Sequence, residues 1–250
     1  MKTVFNNISR NTIPCFATEN NMTEEKETTK APGDDGQKEV NELEMSRSEV
    51  PEYKVDFDKI RDMVVYDAMG NKIKFGDIYK MQKTIIVFVR HFLDFVTKDY
   101  VEDLGMIPLE YLQEANVRLV VIGPAPYKFI NDFKKDTGYQ YTLYCDPERE
   151  LYSALQLPTD YHKADISRSK HVKQNVLMGV LRNMWKIMRV QEWQGDVKQQ
   201  GGTFIIGPGE ELHYSHVDKD QVDHKPINDT LRLAGVQPVS FPKDPRVQDL

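Results

Sequence analysis

The residue pattern predicts an α/β protein, a central mixed sheet flanked by helices, and three observations carry that reading. Two near-continuous apolar runs, Thr84-Ile85-Ile86-Val87-Phe88-Val89 and Val117-Arg118-Leu119-Val120-Val121-Ile122-Gly123, have the β-branched composition of strands buried on both faces. The stretch between them is long enough to hold the helical crossover that a parallel pair requires. Further on, Thr203-Phe204-Ile205-Ile206 and Leu212-His213-Tyr214-Ser215-His216-Val217 flank Gly207-Pro208-Gly209-Glu210, which reads as a hairpin.

The elements follow in order. Residues 19–51 are acidic and polar around Pro32-Gly33-Asp34-Asp35-Gly36 and bury too little apolar surface to order themselves. Residues 1–51 are therefore expected to be a disordered acidic arm, with the compact domain over 52–236 and a polar, proline-containing tail over 237–250. Val64-Val65-Tyr66 and Ile73–Phe75 bracket Ala68-Met69-Gly70-Asn71, a second hairpin. The first long strand covers 84–92, and a helix runs from Asp94 to Ala115. After the strand at 117–123 comes a helix over 126–137, ended by Gly138. A strand at 141–145 leads to Asp146-Pro147-Glu148, which reads as cap, first-turn proline and first-turn acid of a helix through Leu155. A helical insertion precedes the C-terminal hairpin, and a helix over 226–233, with Asp223 as a possible cap, closes the domain. Strands alternating with helices, then a hairpin and a last helix, give the order of a thioredoxin-like fold.

Composition narrows the function. The net charge of −6 and the pI near 5.6 argue against general nucleic-acid binding. No apolar run approaches the ~20 residues that a transmembrane helix needs. Cys15 and Cys145 are the two cysteines, too few for a disulfide framework, which fits a reducing compartment and a cytoplasmic protein. The first eighteen residues contain Lys2 and Arg10 and no acid, a weak likeness to a mitochondrial presequence that keeps that location as the alternative. No phosphate loop, dinucleotide fingerprint or cofactor motif is present. The histidines lack metal-ligand spacing: His213 and His216, three apart on a strand, are expected on opposite faces. Asp223 beside His224 suggests a dyad, but no nucleophile is paired with it, and a helix-start role fits better.

The segment Arg90-His91-Phe92-Leu93-Asp94-Phe95-Val96-Thr97 carries the functional information. A strand feeding a helix N-terminus meets unpaired N–H groups and the positive end of the helix dipole. That place lowers a cysteine's pKa, and it is where a thioredoxin-like protein carries Cys-x-x-Cys. Here the two positions are Asp94 and Thr97. A carboxylate keeps the anion, caps the helix and cannot form a sulfenic acid or a disulfide.

Several ordered stretches are shared with one family. They are Val87-Phe88-Val89-Arg90-His91-Phe92-Leu93, Tyr100-Val101-Glu102-Asp103-Leu104, Leu112-Gln113-Glu114-Ala115-Asn116-Val117 and Asp146-Pro147-Glu148-Arg149-Glu150. Gln194-Gly195-Asp196, Gln199-Gln200-Gly201-Gly202-Thr203 and Asp223-His224-Lys225-Pro226-Ile227-Asn228 complete the set. From Tyr53 to Val239 the chain resembles the peroxiredoxin-like 2 family of AhpC/TSA-type antioxidant domains, closest to the AhpC/TSA antioxidant enzyme domain-containing subgroup. The resemblance implies a thioredoxin fold and, for members with Cys-x-x-Cys, peroxide or lipid-endoperoxide reduction. Because those cysteines map onto Asp94 and Thr97, only the fold and the location of the site carry over.

Three functional readings follow. In the first, the chain is a redox-inactive binder or regulator whose polar pocket, lined by Arg90, His91, Asp94 and Thr97, takes a small molecule or a protein partner. In the second, it is a thiol-dependent peroxidase or reductase using a displaced cysteine, Cys145, at a strand end before a helix, where the thiol's pKa would be depressed. In the third, the basic amphipathic segment 172–189 docks on a partner or membrane surface, with Leu177, Leu181, Met184, Trp185 and Met188 at helical spacing.

Overall fold

The computed structural model describes residues 53–159 and 198–241. The expected arm over 1–51 with Cys15, the insertion helix over 172–189, and all of the tail beyond 241 lie outside these residues. A seven-stranded mixed sheet organises the rest. Its strands are β1 (Val64–Tyr66), β2 (Lys72–Lys74), β3 (Lys83–Phe88), β4 (Val117–Gly123), β5 (Thr142–Cys145), β6 (Gly202–Ile206) and β7 (Leu212–Val217), in the spatial order β2-β1-β5-β4-β3-β6-β7. β3, β4 and β5 run parallel, while β6 is antiparallel to β3, β7 to β6, and β1 to β5.

The helices are α1 (Phe57–Ile60), α2 (Gly76–Tyr79), α3 (Phe95–Gly105), α4 (Leu109–Glu114), α5 (Ile130–Thr137), α6 (Glu150–Ala154) and α7 (Ile227–Ala234). They fall on two sides of the sheet because side chains alternate along a strand. Ile85, Val87, Leu119 and Val121 enter one core with Tyr100, Leu104, Phe133 and Leu231 of α3, α5 and α7. Ile86, Phe88, Val120 and Ile122 enter the other with Ile60, Tyr79, Leu151 and Tyr152 of α1, α2 and α6. Burial on both faces explains why β3 and β4 are apolar at almost every position.

Three boundaries differ from the sequence reading, each for a local reason. β3 ends at Phe88 and not at 92, because its partner β6 begins opposite it at Gly202. Val89 still donates to the Ile122 carbonyl of β4 at 2.9 Å, after which the chain turns away. The single helix expected over 94–115 is two helices, broken before Pro108. Proline disfavours helical backbone at the residue before it and lacks an N–H, so α3 stops and α4 restarts with Pro108 as its N-cap. Asp223 does not cap α7, whose N-cap is Pro226. Asp146 does serve the start of α6: its carboxylate accepts from Glu150 N at 3.2 Å and Leu151 N at 2.9 Å, although Arg149 occupies the N-cap position.

One glycine fixes how the β3–α3 connection packs. A Cβ on Gly123, at the end of β4, would lie 2.2 Å from Cε1 of Phe92, whose ring stacks on Phe133 with centroids 4.1 Å apart. Phe92 is fully buried, so its ring has nowhere to move. Gly123→Ala is expected to cost about 1–3 kcal/mol by overpacking, read as a lowered midpoint of thermal unfolding with the native circular dichroism spectrum retained below it.

Candidate functional site

The site is built where the chain leaves β3. Arg90 follows the last β3–β4 hydrogen bond, and its side chain is 3% exposed. A buried guanidinium must be hydrogen-bonded and neutralised. Its Nε donates to the Gln199 carbonyl at 3.1 Å, and its Nη1 lies 3.4 Å from both Asp94 Oδ2 and Gln221 Oε1. Asp94 is the N-cap of α3, with extended backbone. Its Oδ2 accepts from Thr97 N at 3.2 Å and from Thr97 Oγ1 at 3.0 Å. The sequence reading of this carboxylate as a helix cap therefore describes its geometry. One oxygen receives a backbone donor, a hydroxyl and a guanidinium together, so the carboxylate is a fixed anion at a helix N-terminus.

His91 stands beside them, half-buried. Burial holds its imidazole below the ordinary value, Asp94 pulls the other way, and Arg90 adds to the depression. The structure thus brings Arg90, His91, Asp94 and Thr97 to one place.

Cys145 is elsewhere. It ends β5, pairs with Gly123 and Tyr66, and is completely buried. Burial pushes the thiol up, with Asp146 adding to the rise, against a weaker opposing backbone hydrogen bond at Ala125. This is opposite to the depression expected of a cysteine before a helix. The reason is that Asp146, and not the thiol, receives the free N–H groups of α6. His213 and His216 are also kept apart: His213 Nε2 lies against the Gly207 carbonyl and His216 Nε2 against that of Asp223, each at 2.6 Å. Among the described residues, no group of three histidines, cysteines or acids stands together to hold a metal.

The structure adds a second layer that the sequence reading missed. His224 Nδ1 lies 2.7 Å from Asp218 Oδ2, with side chains 4% and 1% exposed. The imidazole stacks on Tyr100 of α3, centroids 4.7 Å apart. Burial opposes a charge on His224, but Asp218 outweighs it and raises the imidazole's affinity for its proton. Asp94 and Arg90 act on the same ring in opposite senses, so the two layers share one field. The adjacency of Asp223 and His224 suggests a dyad that the sequence reading sets aside for a helix-start role, whereas His224 faces a different acid, Asp218. Asp223 instead accepts from Lys219 N at 3.0 Å and lies 3.7 Å from His216. Asp218 reaches His224 because it leaves β7 opposite Gly201, where a Cβ would lie 2.9 Å from Asp218 Oδ2.

A capped helix after the parallel strand β3, with a later hairpin and a closing helix, is the arrangement of a thioredoxin-fold protein of the AhpC/TSA type. The family model for the AhpC/TSA antioxidant enzyme matches residues 108–220. Peroxiredoxin-like 2C of Bos taurus is 46% identical over 190 residues, covering 75% of this chain and 83% of that protein. The Homo sapiens protein of that name is 45% identical over 190 residues, covering 75% and 84%. Among solved structures, peroxiredoxin Q of Xanthomonas campestris is similar with a TM-score of 0.47 and 12% identity, covering 71% of this chain and 90% of that one. The chain belongs to the peroxiredoxin-like 2 family.

Asp94 compensates a buried cation and caps a helix at once. Asp94→Ala is expected to destabilise the fold by about 3–5 kcal/mol, the range for breaking one side of a buried ion pair. Asp94→Asn keeps an oxygen for Thr97 and is expected to cost less; chemical denaturation of both variants checks the order.

Proposed function

We propose that this protein is a redox-inactive member of its family that works by binding, with the Asp94 face as its contact site for a small molecule or a peptide segment. The observation that carries the reading is the triple engagement of Asp94 Oδ2 with Thr97 N, Thr97 Oγ1 and Arg90. On the mapping in which Asp94 and Thr97 take the places of the redox cysteines, the anion is retained and the electron pair that would attack a peroxide or a disulfide is absent. Asp94, Thr97 and Arg90 then form the fixed polar floor of the site, and the half-buried His91 is the polar group set toward an incoming ligand. A reducing, cytoplasmic location goes with this reading.

The burial of Cys145 supports the same view. The thiolate is the nucleophilic form, and a thiol inside the core, with its pKa pushed up, supplies almost none of it at neutral pH. A displaced thiol peroxidase would need Cys145 both exposed and ionised.

The test is hydrogen peroxide consumption by the purified chain with a dithiol donor, alongside Cys145→Ser and Cys15→Ser. No turnover is expected in any of the three. Turnover that disappears in either variant would identify a working thiol and overturn the proposal. In the Cys15→Ser background, Cys145 is expected to react with an aromatic disulfide reagent only after denaturation. A thiol that reacts at once in the folded protein would remove the second support. The double substitution Asp94→Cys with Thr97→Cys is expected to yield a thiol with a pKa below the ordinary ~8.5, because the helix terminus and Arg90 favour the thiolate.

A further inference from the structure

We infer that the connection from Lys219 to Pro226 is a strap across the Asp94 site, latched by the His224–Asp218 pair, and that it loosens when His224 gives up its proton. This rests on the reading of the Asp94 face as a binding site, and it adds how access to that face is controlled.

The strap has no strand or helix of its own and is held by contacts made side by side. Val222 packs with Phe95 and Val96, the first two residues of α3, in a small cluster separate from both main cores. Gln221 reaches Arg90, which is itself in contact with Asp94. The Lys225 carbonyl accepts from Tyr100 Oη at 2.8 Å, and His224 stacks on the same tyrosine. The segment therefore touches α3 at its first turn and again at Tyr100, and it touches the guanidinium that neutralises Asp94.

Among the contacts just described, the His224–Asp218 pair is the one that joins a buried imidazole to a buried carboxylate. Asp218 directly follows β7 and extends its pairing with the β6 side, its N–H donating to the Gly201 carbonyl at 3.1 Å, so it is the anchor on the sheet side of the latch. His224 is on the strap. Its Nε2, and Oδ1 of Asp218, are buried without a hydrogen bond. With the imidazole protonated, the pair joins a cation to an anion inside the protein, where such an attraction is little screened. Once the proton leaves, Nδ1–H can still donate to the carboxylate, but the charge pairing is gone and Asp218 becomes an uncompensated buried anion.

The remaining charged and titratable neighbours come from each side. Tyr100 faces His224 from α3, with Asp103 acting on that phenol; Arg90 and Asp94 act from the β3–α3 connection. His216 on β7 lies 3.6 Å from Asp218 Oδ1 and 3.7 Å from Asp223 Oδ2 of the strap. Of these, His216 is an imidazole that also faces Asp218 and Asp223 and could imitate the latch, so it needs its own control.

The sign is set by the raised proton affinity of His224. Latching is complete below the pKa of a free histidine, about 6.5, and is lost as the pH climbs through the higher value that His224 has in the folded protein.

The experiment is amide hydrogen exchange of the full chain from about pH 6 to about pH 9, corrected for intrinsic rates, with His224 titrated in parallel by nitrogen-15 NMR. Protection of residues 219–225 and 94–97 is expected to fall roughly tenfold for each pKa unit by which folding raises His224, while β6 and β7 amides stay protected. His216→Gln is expected to keep this dependence. Asp218→Asn, which keeps an acceptor and removes the charge, is expected to leave the strap fast-exchanging throughout. Flat protection of 219–225 across the His224 titration would overturn the inference. So would loss in step with β6 and β7, or disappearance of the dependence in His216→Gln. No ligand enters the measurement, so the strap can fail while binding at Asp94 stands, and binding can fail while the strap stands.

Discussion

A guanidinium buried just past the end of β3 is the constraint around which the site is arranged. Arg90 lies where β3 runs out of partner, and a charge so little exposed is tolerated only when every donor finds an acceptor and the charge finds its opposite. Three segments far apart in sequence contribute to meeting those demands: Asp94 at the start of α3, the Gln199 carbonyl before β6, and Gln221 after β7. Satisfying one side chain thereby brings the two halves of the domain together at the carboxyl end of the sheet. That is also the end at which open α/β sheets present their ligand sites.

The same economy runs through the core. β3 and β4 separate two apolar layers, so the strand ends are the only parts of them that can carry polar groups. This is why the central strands were legible from sequence while their ends were not. Val89, Phe92 and Leu93 remain apolar after the ladder stops, because the connection is buried too, with Phe92 wedged against Gly123 and Phe133. Periodicity reports burial, and burial continued past the last strand hydrogen bond. The break between α3 and α4 had a readable signal in Pro108, which amphipathic continuity on either side of it masked.

The site was legible in the part that is local and illegible in the part that is not. Asp94 and Thr97 are three residues apart at a helix start, a spacing that capping alone dictates. The pairing of Asp218 with His224 spans six residues of irregular chain, where no period constrains which acid meets which base. Asp223 was adjacent in sequence and turned toward Lys219 and His216 instead, because Asp218 was already placed beside Gly201 by the register of β6 and β7. A sheet register decided the partner.

The contrast between positions 94 and 145 shows how separable a scaffold is from its chemistry. Both stand at the carboxyl ends of parallel strands of one sheet, Cys145 as the last residue of β5 and Asp94 beyond the turn after β3, and both precede helices. At 94 the side chain itself takes the unpaired donors of the helix, and it is a carboxylate. At 145 the following residue, Asp146, takes them, leaving the thiol against the core with its proton held tightly. At 145 burial is the chief reason the thiol keeps its proton, and the helix donors that could have opposed it go to the neighbouring carboxylate. Such a terminus stands at the start of α3. The residue placed on it decides whether the terminus activates a nucleophile or merely holds a charge, and in this chain the group held there is a carboxylate bound to its own helix.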